Sequence, residues 1–181
     1  RIFNFMKKKI LLYGARSTGY IIYEMLKDLN ISPNYIFDPF LKKAVFKNNL
    51  KFSYRKKDLF NYVKLSNNFV VCIAREDGLA RYKISKEFEN LGLKSISIVS
   101  KLSSIHKSSK IGKGIISMAK SYVNRGVSIG DYCILNTNST IDHESKLGNG
   151  VHIMGGASIA GRVEIGDYST IGTNATILPN I

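Results

Sequence analysis

Large aliphatic residues recur at every sixth position through the second part of this 181-residue chain. Stepping by six from Ile105 meets Ile111, Ser117, Val123, Ile129, Leu135, Ile141, Leu147, Ile153, Ile159, Ile165, Ile171 and Ile177, and only Ser117 breaks the run. Four places after each stands a small residue, among them Ser109, Cys133, Ala157 and Ala175, with Ile115 and Ile181 the large exceptions. Glycine follows the aliphatic residue directly at Gly112, Gly130, Gly148, Gly166 and Gly172. A period of six fits neither a helix near 3.6 nor a simple alternating hairpin. It predicts a parallel β-helix of short flat strands. The aliphatic residue fills a corner, the small residue lets the wall close, and glycine permits a tight turn. Three hexads make one triangular coil, so residues eighteen apart share a face. Ser117 predicts an outward loop over residues 115–122. Solenoid ends need a cap, and the stop at Ile181 in mid-hexad predicts further coils or a terminal segment beyond it.

The first part is built differently. Lys9–Tyr13 reads as a strand opening on Gly14-Ala15-Arg16-Ser17-Thr18-Gly19. Tyr20–Asn30 reads as a helix with Ile21, Ile22, Met25, Leu26 and Leu29 on one face. Asn34–Asp38 and Phe69–Ala74 read as strands and Leu79–Leu91 as a helix with Leu79, Tyr82, Phe88 and Leu91 inward. Gly92 suits its C-cap, and Ser95–Val99 reads as a fourth strand. Residues 40–66 are only weakly readable. Strands alternating with helices predict a small parallel sheet. The expected organisation is an α/β Rossmann-like domain over residues 1–104 and a β-helix over residues 105–181.

The net charge of +14 raises the question of nucleic acid. Residues 1–104 carry +12 of it and residues 105–181 only +2. The lysines are scattered apart from Lys7–Lys9, Lys42-Lys43 and Arg55–Lys57, and no nucleic-acid-binding motif accompanies them. A solvated basic surface that concentrates phosphate-bearing ligands is the simpler reading. Cys72 and Cys133 share no motif spacing and read as buried small hydrophobes. No apolar run approaches a transmembrane length. The apolar stretch before Lys7 is too short and wrongly placed for a signal peptide. A cytoplasmic protein is expected, with Met6 as the natural start.

Two constellations could carry chemistry. The loop Gly14–Gly19 is neither a dinucleotide fingerprint nor a P-loop. It still offers backbone N–H groups at a helix N-terminus, which attract phosphate, and Asp38 ends the next strand about where an acidic residue meets a sugar hydroxyl. A tight turn with no ligand is the alternative. The second constellation is Asp142-His143-Glu144, followed by His152. His143 falls two places past a corner and should point outward between two acids, which makes it a candidate general base rather than an ordinary surface histidine. Gly161 lies eighteen residues on, so its N–H could serve a developing oxyanion beside the base. His152 is half a coil from His143, so one site holding both must be shared between neighbouring subunits.

At these residues the chain resembles the hexapeptide acyltransferases. More narrowly it is similar to nucleotide-sugar N-acetyltransferases of the PglD type and sialic acid O-acetyltransferases of the NeuD type. The resemblance rests on the hexads with Leu135-Asn136-Thr137, Asp142-His143-Glu144, Val151-His152 and Ile177-Leu178-Pro179-Asn180-Ile181, and more loosely on Tyr13-Gly14-Ala15. It implies a left-handed coil and a homotrimer with acetyl-CoA bound between adjacent β-helices. His143 is then the general base, Glu144 raises its basicity and Asn136 is an orienting partner. His152, Gly161 and Thr173 contact the acetyl-CoA. Gly14, Arg16, Ser17, Thr18 and Asp38 match the part that holds the nucleotide sugar.

Three departures fall in the N-terminal domain. Arg16-Ser17-Thr18 replace a Gly-His element, Asp38-Pro39 stands where paired acids are common, and Ala74-Arg75 replaces small residues. They leave the chemistry intact and open the choice of acceptor, with Arg16 and Arg75 pointing to a different nucleotide or a more anionic sugar. The expected activity is acetyl-CoA-dependent N-acetylation of a nucleotide-linked amino sugar in surface-glycan synthesis. O-acetylation of a sialic-acid-type sugar is the enzymatic alternative. A non-catalytic scaffold is the alternative of another class. Metal catalysis of the carbonic-anhydrase kind would need three histidines, and His106 lies apart from the other two, so no metal is expected.

Overall fold

Parallel strands buried on both faces should be continuous hydrophobic runs, and the first strands of this chain are. The computed structural model describes residues 9–47 and 49–181; the expected start at Met6 and the first two lysines of Lys7–Lys9 lie outside them. The described chain forms two compact units, one running to Ile73 and including Ile84–Ile96, the other comprising Ala74–Lys83 and Ser97–Ile181.

The first unit contains β1 (Ile10–Tyr13), α1 (Ser17–Asp28), β2 (Tyr35–Phe37), β3 (Lys51–Ser53), α2 (Lys56–Leu65), β4 (Asn68–Val71) and β5 (Lys94–Ser95), together with most of α3 (Gly78–Asn90). The strands form one parallel sheet in the order β3-β2-β1-β4-β5. Leu11, Leu12, Ile36 and Phe69 are fully buried in it, and Ile22 and Leu26 of α1 join them. Tyr13 and Phe69 both pack edge-on against Phe88 of α3. Gly92 adopts φ +88 and closes α3, with Leu93 N–H donating to the Phe88 carbonyl. The inward face of α3 differs from the sequence reading. Arg81, Ser85 and Phe88 are buried, whereas Leu79 and Leu91 are exposed. Ile21 of α1 is likewise exposed.

The second unit is a stack of two-residue strands. They form three parallel sheets in which every strand pairs with the one eighteen residues away, as Ile134-Leu135 does with His152-Ile153. Val123, Ile129, Leu135, Ile141, Leu147, Ile153, Ile159 and Ile165 fill the interior with the small residues Cys133, Ala157, Val127 and Val163. The coil begins earlier than the boundary read from composition. Ile98-Val99 already pairs with Ile116-Ser117, so the expected strand Ser95–Val99 is divided between the sheet and the coil.

Two expectations about the turns are corrected. The stretch 115–122 does not loop out: Ile116-Ser117 is an ordinary coil strand. Ser117 is fully buried, its hydroxyl 2.8 Å from that of Ser121, which in turn donates to the Met118 carbonyl at 2.7 Å. A hydrogen-bonded pair makes a polar corner tolerable. Nor do the glycines after the corner residues supply the turn conformation. Positive φ recurs instead at every sixth residue from Gly114 to Asn180, and most holders are Asn, Lys, Tyr, Glu or Arg. Gly112, Gly130 and Gly148 stack on one another. A Cβ at Gly112 would lie 2.6 Å from the Gly130 carbonyl, so it is the spacing between coils that demands glycine there.

Candidate active site

The eighteen-residue register decides which side chains can meet. After the sheet containing Thr140-Ile141, the chain turns an edge at which Arg125, His143 and Gly161 occupy equivalent places in successive coils. Glu144 and Arg162 occupy the next places, both with left-handed φ near +60. Their side chains therefore leave the edge in the same direction, one above the other.

His143 is half-exposed, as the hexad position predicted. Its Nδ1 lies 3.0 Å from Glu144 Oε2, and Arg162 Nε donates to the same oxygen at 3.1 Å. Asp142 does not touch the ring. Its Oδ1 accepts the His143 backbone N–H at 2.7 Å and the Asn124 side-chain amide at 2.6 Å. The hydrogen bond from His143, then the Arg162 guanidinium, hold the Glu144 carboxyl below the usual carboxylate range. The His143 backbone and Asn124 do the same for Asp142. With Glu144 ionised, Nδ1 carries a proton toward it and Nε2 is left as the acceptor. Nε2 lies directly over Gly161, where a Cβ would come within 2.5 Å of it. The Gly161 N–H has no acceptor among the described residues. An imidazole nitrogen and an unengaged backbone N–H thus sit side by side on one edge.

The other expected residues of the coil lie on a different edge. Asn136 follows the strand Ile134-Leu135, and its Oδ1 accepts the Thr137 N–H at 2.7 Å. Thr173 lies on the same edge two coils on, exposed, with its hydroxyl 3.9 Å from Met154 Sδ. Neither reaches His143. His152, expected by resemblance to contact acetyl-CoA, is covered from outside. It is 3% exposed, its Nδ1 is 3.2 Å from the Arg75 carbonyl, and its Nε2 has no partner. Burial pushes its pKa below the usual histidine value.

A clasp that the sequence did not reveal covers the third edge. Arg81 is 1% exposed and donates to the carbonyls of Tyr132 at 2.7 Å and Gly150 at 2.6 Å, which belong to successive coils. Burial brings its pKa down to about 10. Tyr82 packs against both Tyr132 and Tyr168. Arg75, at φ +58, turns its carbonyl toward His152 and the Thr170 hydroxyl.

In the first unit the glycine loop is braced from within. Gly14 takes φ +109, and Gly19 packs against its carbonyl. Asp38 is buried and accepts the N–H groups of Ala15 and Phe40, each at 2.9 Å. Its carboxylate holds the loop rather than projecting outward. Arg16 and Ser17 are exposed and Thr18 half-buried. A cavity of about 580 Å³ lined by Ser17, Tyr20, Glu24, Val45, Phe46 and Lys47 opens at the start of α1. Among the described residues no group of His, Cys, Asp and Glu could hold a metal ion, and no helix is long and apolar enough to cross a membrane. Both cysteines are free and buried.

The residues missed by sequence reasoning were within reach of the same arithmetic. Arg162 is eighteen residues from Glu144, and Asn124 is eighteen from Asp142. Arg81 carried no such signal, because its partners are 51 and 69 residues away.

Residues 144–179 match the family described as bacterial transferase hexapeptide (six repeats). No curated protein matches the chain. Among solved structures, the acetyltransferase domain of PglB from Neisseria gonorrhoeae in complex with acetyl coenzyme A is similar at 27% identity, with a TM-score of 0.82, over 96% of this chain and 83% of that one. A mutant of perosamine N-acetyltransferase from Caulobacter crescentus, in complex with CoA and GDP-perosamine, shares the fold at 16% identity and a TM-score of 0.79, over 96% and 90% of the two chains. WeeI from Acinetobacter baumannii shares it at 21% identity and 0.79, over 94% and 80%.

Proposed function

We propose that this protein is an acetyl-CoA-dependent acetyltransferase that acylates the amino group of a nucleotide-linked amino sugar in bacterial surface-glycan synthesis. The observation that carries the reading is His143, held by an ionised Glu144 with Nε2 facing the Gly161 backbone. It stands on a hexapeptide prism like that of the PglB acetyltransferase domain.

The chemistry follows from the atoms. His143 Nε2 accepts the proton as the sugar amine attacks the thioester carbonyl carbon. The new C–N bond forms, the C–S bond breaks, and coenzyme A leaves as the thiol. Glu144 stabilises the imidazolium that forms in between. The Gly161 N–H is placed to donate to the carbonyl oxygen as negative charge develops on it.

Asn136 and Thr173 belong to the same site only if a second copy presents its edge to His143, an arrangement that a homotrimer with acetyl-CoA between neighbouring coils supplies, while His152 is covered and does not face it. In the first unit, the free N–H groups at the start of α1 and the cavity beside Ser17 and Tyr20 are placed to receive the nucleotide. Arg16 and Thr18 flank them, and Gly14 and Asp38 keep the loop in shape.

The test is free-thiol release from acetyl-CoA with a panel of UDP-, GDP-, dTDP- and CMP-linked sugars, followed by mass spectrometry of the product. Amide formation on one amino sugar supports the reading. Ester formation on a sialic-acid-type sugar moves it to O-acetylation. No release with any acceptor, together with no acetyl-CoA binding by calorimetry, leaves a scaffold.

A further inference from the structure

We propose that Arg162 is a positioning residue that sets the pH range in which His143 can act. By sharing Glu144 Oε2 it withholds part of that oxygen's negative charge from the imidazole. This inference rests on the reading of His143 as the base.

The geometry is specific. His143 Nδ1 and Arg162 Nε approach one and the same oxygen, at 3.0 and 3.1 Å. The ladder fixes the approach from beneath, because the Arg162 backbone N–H donates to the His143 carbonyl at 2.9 Å and that of Glu144 to the Arg125 carbonyl at 3.0 Å. A carboxylate answering only to the imidazole would stabilise its protonated form fully and keep the base occupied to higher pH. A guanidinium on the same oxygen offsets that pull and adds direct repulsion of the imidazolium. The charged groups facing His143 are Glu144 and Arg162 on its own edge, Asp142 through the backbone, and Arg125 one coil before. Asp142 is already engaged by Asn124. Glu144 and Arg162 are therefore the pair that can be tuned.

The experiment follows the His143 ring Cε1–H signal by NMR against pH, which needs no activity. The Arg162→Gln variant should move the titration midpoint upward by roughly 0.2–0.7 of a pH unit, the size of an exposed ion-pair interaction. Arg162→Lys should return most of that shift. Glu144→Gln should move the midpoint downward, and in that background Arg162→Gln should have a smaller effect than it has alone. The acid limb of kcat/KM should move upward with the ring in Arg162→Gln, whereas a merely structural role would lower kcat and leave the limb in place. An unmoved midpoint in folded Arg162→Gln, or a shift equally large without Glu144, overturns the proposal. Wild-type protein that transfers no acetyl group overturns the function instead, and the ring titration still decides for or against Arg162.

Discussion

His143 and His152 stand nine residues apart on one prism, yet their surroundings are opposite. His143 lies on an open edge, half-exposed, with a carboxylate on Nδ1 and its other nitrogen over a glycine. His152 is covered, with a backbone carbonyl on Nδ1 and a buried Nε2 that has no partner. The coil geometry is the same in both places. The difference comes from what occupies the outside. Glu144 and Arg162 hold the open turns, whereas Ala74–Lys83 lies across Tyr132 and Gly150 and reaches His152 through the Arg75 carbonyl. One repeat thus yields an edge with a half-exposed imidazole and another that is sealed by a buried cation.

Four changes probe this contrast. Removing the open histidine should have the largest effect. His143→Ala should lower kcat/KM by about 10³-fold, in the range for loss of a general base and equal to about 4 kcal/mol. Its melting temperature should stay within a degree or so of wild type, and an active His143→Ala protein would end the contrast. Breaking the sealed edge comes next. Arg81→Met leaves the Tyr132 and Gly150 carbonyls without their donors and should cost about 3 kcal/mol in urea unfolding. An unchanged midpoint would mean that the clasp closes nothing.

Gly161→Ala should then lower the rate by about 10²-fold, or about 2.7 kcal/mol, because the new methyl group displaces the His143 ring from its place. A retained rate would show that the ring works from another position. The smallest effect concerns pH. The pKa of His152 is depressed in the fold, so the unfolded chain binds the proton first as pH falls below the ordinary value of 6.5. Stability contributed by neutral His152 is therefore complete above that pH and is lost as pH falls toward the depressed value. His152→Gln should flatten this acid-side loss in melting temperature between pH 7.5 and 5.5. An equally steep loss in the variant would place its origin elsewhere, in groups such as Asp142 and Glu144.

The repeat unit was far more legible than the sheet unit, for a physical reason. In the coil each residue's environment depends on its place in the hexad and on the residue eighteen away, so the corner residues and the pairing of His143 with Gly161 could be read by counting. The sheet unit depends on contacts with no fixed spacing. α2 and β3 were missed because Leu59, Phe60, Val63 and Leu65 make a helix that has no buried residue. The face of α3 was misread because a buried Arg81 and Ser85 replace the expected leucines. Even in the coil, the counting failed where chemistry replaced size. Ser117 fits because Ser121 answers its hydroxyl, and the left-handed turns fall to Asn, Tyr, Glu and Arg more often than to glycine. The cover over His152 could not be counted either, because the Arg75 carbonyl that reaches it lies 77 residues away.

The most direct test of the open edge is chemical rescue. Free-thiol release from acetyl-CoA would be followed with the best nucleotide-linked amino sugar, for wild type and His143→Ala, with and without added imidazole. The account predicts release by wild type, about 10³-fold less by the variant, and partial recovery when imidazole enters the space above Gly161. Equal rates in the two proteins, or a variant that imidazole cannot revive although it still binds both substrates, would contradict the assignment of His143 as the base.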